Sequence, residues 1–152
     1  SVDVEIIGSG PLEDKLKVLN SKLGGRAQFM GALPYDEAMA RLSQADIAIN
    51  AIKTSALQSV TNKLSDYFCA GIPILSSQTN EEVNELLDQG GGRTYEAGDA
   101  EGLARLMIEL ADNPETLQEM ARCNRTIARK LFLRSKTYAV VVDLLDKLLR
   151  EA

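Results

Sequence analysis

The sequence predicts an α/β fold in which a doubly wound parallel sheet is covered by helices on both faces. Short β-rich runs alternate along the chain with segments whose apolar residues recur at helical spacing. Most of these runs are apolar throughout, without a period of two, which is typical of parallel strands buried on both faces. With 152 residues, 45% of them apolar, the chain is long enough for a substantial core, and we expect residues 1–152 to form a single domain.

The first half of the chain contains three strand-and-helix units. Strands are predicted over 2–7, 27–30 and 46–50, and helices over 12–23, 34–43 and 62–69. The first helix carries leucines at helical spacing from Leu12 to Leu23. Glycines end the first and third helices, and Pro34 suits the first turn of the second. A polar loop is predicted over 51–60, before the third helix.

The second half adds two more strands and a helical end. An apolar strand is predicted over 72–75, a helix over 81–89 and a short strand over 93–95. From about residue 99 the pattern is helical, with a break at Asn113-Pro114. The tail over 114–152 carries apolar residues at helical spacing, which fits a helix that packs on its own domain.

Composition excludes several classes of function. The net charge of −5 argues against a general attraction to nucleic acid or to an anionic membrane, since both favour a basic protein surface. No apolar run is long enough to span a membrane. The absence of histidine excludes mechanisms that need one within this chain. Cys69 and Cys123 are far apart and are predicted to be small buried residues of a reduced compartment. No acidic cluster with metal-ligand spacing is present, so no metal is expected.

Two local features call for a structural test. Six basic residues between Arg122 and Lys136 fall largely on one helical region, and we interpret them as a solvated face balanced by acids elsewhere. The chain begins with Ser1 directly before a strand, from which we expect a fragment that lacks an N-terminal part.

Ligands of doubly wound folds bind outside the carboxyl ends of the strands, so the loops there are the candidate site. The Gly8-Ser9-Gly10-Pro11 turn allows close approach of a ligand to the backbone, although a tight turn needs glycine in any case. The polar loop before the third helix is rich in hydroxyl and amide side chains. Thr61 or Asn62 can cap this helix, whose first N–H groups then remain available to an anion such as a diphosphate.

Helical geometry divides the third helix into two faces. Leu64, Tyr67 and Phe68 share the face predicted to pack on the sheet, and Asn62, Lys63 and Asp66 share the other. An ion pair between Lys63 and Asp66 on that surface would be worth a few tenths of a kcal/mol. From the pattern alone, a solvated pair and a binding site are equally good interpretations.

Four segments in order give the chain a family resemblance: IIGSGPLEDKL, FMGALPYDEAMARLSQADIAI, NKLSDYFCAGIPIL and a GD turn before a helix. This order resembles the carboxyl-terminal, nucleotide-sugar-binding half of GT-B glycosyltransferases of group 1, over about residues 4–114. The resemblance implies a Rossmann-like half of a GT-B fold. It implies that this chain is the donor-binding domain of a glycosyltransferase. Such an enzyme moves a sugar from a nucleotide-diphosphate-sugar, expected to be a UDP-sugar, to a saccharide or lipid-linked acceptor. The nucleotide-sugar is then a substrate, and no cofactor is expected.

The resemblance also implies roles for individual residues. Gly8 and Gly10 approach the donor phosphates, the segment from Ser59 to Asn62 donates backbone N–H groups to the diphosphate, and Asp66 binds the ribose hydroxyls. A carboxylate that accepts from two vicinal hydroxyls is a good match for a ribose. The predicted donor-binding residues are Gly8, Gly10, Gln58, Ser59, Thr61, Asn62, Lys63 and Asp66.

The chain departs from the family pattern in two ways. The family often has two glutamates with seven residues between them, and the matching positions here are Gln58 and Asp66. The family therefore implies retaining chemistry, but this pair of residues does not support it. The basic Arg and Lys that neutralise the leaving diphosphate, and the acceptor-binding domain, precede this segment in the family. The catalytic residues are therefore unknown, and we expect the 152-residue chain to be inactive alone. The family instead implies a tail that packs on the other domain, and an exposed apolar stripe over 114–152 would favour this second interpretation.

Two alternatives stay open from the sequence. One is a nucleotide-sugar epimerase or hydrolase of the same fold, and the other is a non-catalytic nucleotide-sugar-binding module. A cytoplasmic location is expected, with peripheral association at the inner face of the membrane as an option. We expect no nucleic acid among the partners, and we expect no transmembrane segment.

Overall fold

A computed structural model describes residues 2–53, 60–78 and 80–151 of the chain. The elements alternate as predicted, and the α/β fold class with parallel strands is confirmed. In chain order they are β1 (Val4–Ile7), α1 (Glu13–Lys22), β2 (Ala27–Gly31), α2 (Tyr35–Leu42), β3 (Ala48–Asn50), α3 (Asn62–Ala70), β4 (Ile74–Ser76), α4 (Glu81–Leu86), a turn kinked at Gly90 (Leu87–Gly91), β5 (Gly92–Thr94), α5 (Ala100–Ala111), α6 (Pro114–Leu131) and α7 (Arg134–Glu151).

The chain divides into two compact units, residues 1–41 and 42–152, and each has its own parallel sheet. In unit 1, β1 pairs with β2 in a register that joins Val4 to Ala27 and Ile6 to Phe29. The Asn20 side chain at the end of α1 fixes the start of β2, since it donates to the Ala27 carbonyl at 2.7 Å and accepts from the Ala27 N–H at 2.9 Å. The glycine stop predicted after α1 is confirmed by positive φ angles at the two following glycines.

Helix α1 has no buried residue, although its leucines have helical spacing. Leu12, Leu16, Leu19 and Leu23 are between 41% and 72% exposed. With Lys15, Val18 and Lys22, the first three leucines line a shallow depression on the helix. The apolar period therefore correctly predicts the helix, but the helix does not bury that face.

In unit 2, β4 is the central strand of three, with β3 and β5 parallel on either side. Ile74 packs in a cluster with residues of α3, α4 and α6, whereas Leu75 packs in a second cluster with residues of α5 and α6. Because successive residues of a strand point to opposite faces, both faces of this sheet are covered by helices. This explains why the strand is apolar throughout.

Helix α3 begins and ends as its sequence predicts. The Thr61 hydroxyl accepts a hydrogen bond from the Leu64 N–H at 3.3 Å, and Gly71 ends the helix in the left-handed conformation with φ 70°. Leu64 and Phe68 are fully buried, so the predicted packing face is confirmed. The prediction of a buried Cys69 is wrong: Cys69 is exposed, because it follows Phe68 by 100° around the helix and so faces away from the sheet.

Helix α6 is attached to the sheet through a buried amide that the sequence pattern did not predict. Asn124 is 0% exposed, and its Nδ2 donates to the Ile72 carbonyl at 2.6 Å and to the Gly91 carbonyl at 2.8 Å. A Cβ atom on Gly91 would overlap the Asn124 Oδ1 and lie 2.7 Å from its Cγ. Glycine at this position therefore permits the close approach of α6.

The helical tail has two parts with different surroundings. Helix α6 buries one face within unit 2, with four buried residues: Met120, Asn124, Ile127 and Ala128. In α7, by contrast, the apolar residues from Tyr138 to Leu149 are more than half exposed, with Leu149 at 77%. The predicted helices of the tail are confirmed, and α7 has the exposed apolar stripe that favours a further packing partner.

Candidate functional site

In unit 1, the Gly8–Pro11 turn connects β1 to α1. Gly8 has φ +126°, a conformation that other residues rarely adopt, and a Cβ there would meet no atom within 4 Å. Its N–H donates to the Gly31 carbonyl at 2.7 Å, so it is already used within the protein. Gly10 likewise has open space beside it, and its carbonyl accepts from the Glu13 N–H. The turn therefore offers close approach to the backbone of this unit.

The N-terminus of α1 is poorly suited to a diphosphate. Glu13 and Asp14 both lie in the first turn of this helix. Carboxylates there already offset the positive end of the helix dipole and repel a second anion. The contribution expected of this turn is thus steric, through glycines that let a ligand come near.

In unit 2, the N-terminus of α3 has the opposite electrostatic character. Its first turn contains no acid, and Lys63 adds an exposed cation. The Leu64 N–H donates to Thr61. The N–H groups of Asn62 and Lys63 lie in the first turn, so they have no acceptor within the helix. Two backbone donors, a helix dipole and an ammonium group are therefore available to an anion at one place.

Asp66 lies one turn further along the same helix and is half-buried. At a rise of about 1.5 Å per residue it is about 6 Å along the axis from Asn62. The pKa of the Tyr67 phenol and the pKa of the Cys69 thiol are both raised, chiefly by burial and secondly by the negative charge of Asp66. The Tyr67 hydroxyl points back to the sheet and donates to the Ile49 carbonyl at 3.4 Å.

A buried polar network, which sequence reasoning missed, lies at the carboxyl ends of β3 and β4. The Asn50 Nδ2 donates to the Ser76 hydroxyl at 3.0 Å and to the Gln78 side-chain oxygen at 3.2 Å, and all three residues are at most 4% exposed. The Ser77 hydroxyl accepts from the Ile52 N–H at 2.8 Å and donates to the Ile52 carbonyl at 2.9 Å. This network fixes the backbone that follows β3. An Asn at a strand end and a Ser-Ser-Gln run after the next strand were the available signals.

Four of the predicted donor-binding residues come together in the N-terminal half of α3: Thr61, Asn62, Lys63 and Asp66. Gly8 and Gly10 belong to unit 1, and Gln58 and Ser59 lie outside the described residues. Within 2–53, 60–78 and 80–151, no group of three or more Cys, Asp and Glu side chains is arranged to hold a metal ion. In the same ranges, no helix combines the length and the apolar character that crossing a bilayer requires.

Comparison with known proteins gives a consistent result. Residues 1–113 match the family model described as glycosyl transferases group 1. The amylovoran biosynthesis glycosyltransferase AmsK of Erwinia amylovora is 25% identical over 94% of this chain and 36% of its own length. A GDP-mannose-dependent monoacylated alpha-(1-6)-phosphatidylinositol monomannoside mannosyltransferase of Corynebacterium glutamicum is 26% identical over 79% of this chain and 32% of its own length. The chain thus spans about a third of the length of these curated relatives.

Solved structures show the same fold at low sequence identity. HepE of Anabaena, crystallised with UDP, matches with a TM-score of 0.79 at 17% identity, over 96% of this chain and 41% of HepE. Sucrose-phosphate synthase of Thermosynechococcus elongatus matches with a TM-score of 0.81 at 16% identity, over 97% of this chain and 39% of the synthase. The α/β architecture with parallel sheets is therefore that of these structures. On the match of residues 1–113 to the family model, the chain belongs to the group 1 glycosyltransferases.

Proposed function

We propose that this chain binds the nucleotide-diphosphate-sugar donor of a glycosyltransferase, and that the whole protein transfers the sugar to a saccharide or lipid-linked acceptor. One observation carries the proposal. The N-terminal half of α3 combines an acid-free first turn, the Lys63 cation and the Asp66 carboxylate within about one helical turn. A nucleotide diphosphate combines an anion and a ribose at a comparable separation.

The diphosphate is assigned to the N-terminus of α3. The backbone N–H groups of Asn62 and Lys63 and the Lys63 ammonium group supply donors and positive charge there. Thr61 holds the first turn in place through its hydrogen bond to the Leu64 N–H. From the family resemblance alone, Gln58 and Ser59 are also proposed as donor-binding residues. The Gly8–Pro11 turn of unit 1 is proposed separately as a place where a donor phosphate can approach the backbone.

The ribose is assigned to Asp66. An ionised carboxylate only accepts hydrogen bonds, and a ribose offers two adjacent hydroxyl donors. Asp66 shares a helix face with Asn62 and Lys63, so a ligand bound along this face meets the cation first and the carboxylate one turn later. The half-buried position limits competition from water.

The proposed base is uracil. HepE, whose fold this chain shares, was crystallised with UDP, with UDP and glucose, and with UDP-glucose. The Corynebacterium relative is named as GDP-mannose-dependent, so GDP is the ligand to compare with UDP. The relatives' names also support the acceptor classes, since one acts in amylovoran biosynthesis and the other on a phosphatidylinositol mannoside.

Transfer is proposed to depend on a second domain of the whole protein, at a cleft where charge stabilisation of the departing diphosphate and positioning supply the catalysis. The exposed apolar stripe of α7 supports such a domain as a packing partner. Binding to the 152-residue chain is therefore the first activity to measure. A whole protein that binds the donor but transfers no sugar would identify the non-catalytic alternative.

The proposal is tested by titrating the isotope-labelled chain with UDP, GDP and dTDP while following backbone amide shifts by NMR. We expect saturable shifts at Asn62, Lys63 and Asp66 with UDP. Asp66→Asn should weaken binding about 10- to 100-fold, because a hydrogen bond to a charged group is worth about 1.5–3 kcal/mol. Asp88→Asn, which removes the same charge at an exposed turn, should leave the affinity unchanged.

Each outcome has a defined meaning. Saturable shifts at α3 with GDP alone would keep the donor site and correct the base. An equal loss of nucleotide affinity in the Asp66→Asn and Asp88→Asn variants would contradict the role of Asp66 in ribose binding. If no nucleotide moved the α3 amides at millimolar concentration, the assignment of the diphosphate to this helix terminus would be wrong for this chain.

A further inference from the structure

The pairing of β3 with β4 changes from backbone to side chain where the two strands end. The Ala48 N–H donates to the Pro73 carbonyl at 2.9 Å, and the Ser77 N–H donates to the Asn50 carbonyl at 3.1 Å. Paired residues recur at every second position of a parallel strand, so Ile52 is the next residue expected to pair. Its N–H donates to the Ser77 hydroxyl at 2.8 Å, and its carbonyl accepts from the same hydroxyl at 2.9 Å. We call this contact the Ser77–Ile52 pair.

The Ser77 hydroxyl acts on the backbone of the protein and not on a ligand. A hydroxyl group has a single proton to donate, and here that proton goes to the Ile52 carbonyl. Ser77 is 4% exposed, so a ligand does not reach this side chain. Any effect of Ser77 on a ligand therefore passes through the backbone of Ile52.

The neighbouring serine directs the chain that leaves β4. Ser76 is fully buried, and its hydroxyl accepts from the Gln78 N–H at 3.1 Å. Such a local bond between positions i and i+2 takes the place of a bond to a neighbouring strand. The Ser76 hydroxyl thus bends the chain after β4, whereas the Ser77 hydroxyl holds the chain after β3. The Ser77–Ile52 pair therefore joins the starts of the two connections that follow these strands.

The Ser77–Ile52 pair lies at the edge of the sheet where α3 begins. A helix that connects two parallel strands runs antiparallel to them, so α3 starts at the edge where β3 ends and finishes at the edge where β4 begins. Thr61, the cap of α3, follows Ile52 by nine positions. The pair therefore fixes the point from which the chain runs to the N–H groups of Asn62 and Lys63.

We infer that Ser77 is a positioning residue for the nucleotide donor and acts through Ile52 on the chain that enters α3. The inference rests on the donor site proposed at the N-terminus of that helix. With the pair formed, the backbone of Ile52 is already ordered when a diphosphate binds. Without the hydroxyl, the Ile52 N–H and carbonyl bind water instead, and donor binding has to order this residue again. Ordering the backbone of one residue lowers an affinity about 5- to 30-fold.

The test is the NMR titration with UDP, GDP and dTDP, repeated on the chain with Ser77→Ala. We expect the dissociation constant of whichever nucleotide binds the unmodified chain to rise about 5- to 30-fold. Amide hydrogen exchange at Ile52 should become faster in this variant, because its N–H loses the Ser77 hydroxyl. Ser77→Thr keeps a hydroxyl group, so slow exchange at Ile52 and the nucleotide affinity should both be retained.

Two control variants separate positioning from a general loss of stability. Asn124→Ala acts at the opposite edge of the same sheet, because its partners, the carbonyls of Ile72 and Gly91, precede β4 and β5. Ser21→Ala removes another serine hydroxyl, which donates to the Lys17 carbonyl of unit 1 at 3.0 Å. At a temperature where circular dichroism shows every variant folded, both controls should keep the nucleotide affinity of the unmodified chain.

Three results would overturn the inference and leave the donor site in place. The first is an unchanged nucleotide affinity in Ser77→Ala, whatever the exchange rate at Ile52. The second is a loss of affinity in Asn124→Ala equal to that in Ser77→Ala, which would indicate general loosening of unit 2. The third is a threonine variant that keeps slow exchange at Ile52 but binds as weakly as the alanine variant. If the unmodified chain binds none of the three nucleotides, the proposed donor site is wrong, and the inference is wrong with it.

Discussion

Replacing Asn124 with alanine tests how α6 is attached to the three-stranded sheet of unit 2. The side chain is fully buried and donates to the carbonyls of Ile72 and Gly91 at 2.6 and 2.8 Å. Those two carbonyls belong to the segments just before β4 and β5. One amide group therefore connects α6 to two strands, and its loss affects all three elements.

The expected cost follows from these two hydrogen bonds. A buried acceptor that loses its partner costs about 1–3 kcal/mol, so two give between about 2 and 6 kcal/mol, and we take about 3 kcal/mol as the working value. With a urea slope of about 2 kcal/mol per molar, the unfolding midpoint should fall by about 1.5 M. The melting temperature should fall by about 6–12 °C for a chain of this size.

The assay is urea unfolding followed by far-UV circular dichroism, with amide hydrogen exchange to assign the loss to unit 2. Asn113→Ala is the matched control, because its Nδ2 also donates to a carbonyl, that of Glu109 at 2.7 Å, but at an exposed position. We expect a change within about 0.5 kcal/mol for this surface variant. A loss at Asn124 below about 1 kcal/mol, or no larger than that at Asn113, would refute the reasoning.

Two further predictions concern α3. Thr61→Ala should lower the free energy of unfolding by about 1 kcal/mol, because the Leu64 N–H loses its bond to the Thr61 hydroxyl and keeps only the one to the Thr61 carbonyl at 3.0 Å. Thr61→Ser should retain the hydroxyl bond. Urea midpoints check both variants, and an unchanged alanine variant would contradict the cap. Burial, and then the charge of Asp66, raise the pKa of Tyr67 above its ordinary value of 10.0, so the folded state holds this proton more tightly than the unfolded chain. That stabilisation is complete below the ordinary pKa and is lost as the pH rises through the raised one. Tyr67→Phe should therefore flatten the alkaline fall in melting temperature, measured against pH, whereas Tyr138→Phe at an exposed position should leave its slope unchanged.

Local pattern was sufficient to predict the elements of this protein. Apolar period gave the helices, and uninterrupted apolar runs gave the parallel strands, because both depend on residues within a few positions of one another. The cap at Thr61, the left-handed end at Gly71 and the packing face of α3 were predictable for the same reason. The Thr61 to Asp66 part of the candidate site was predictable as well, since all of it lies on one short helix.

Only the tertiary structure decided which faces are buried and which distant groups meet. Asn124 binds the Ile72 carbonyl across 52 positions of sequence, and Asn50 binds Ser76 across 26. No local pattern specifies such pairs, because they depend on the register of the sheet and on how a helix packs against it. The leucines of α1 have the period of a buried face and are exposed, and Cys69 resembles a core residue and is exposed as well. A sequence period fixes the direction in which side chains point, whereas burial depends on what packs on that side.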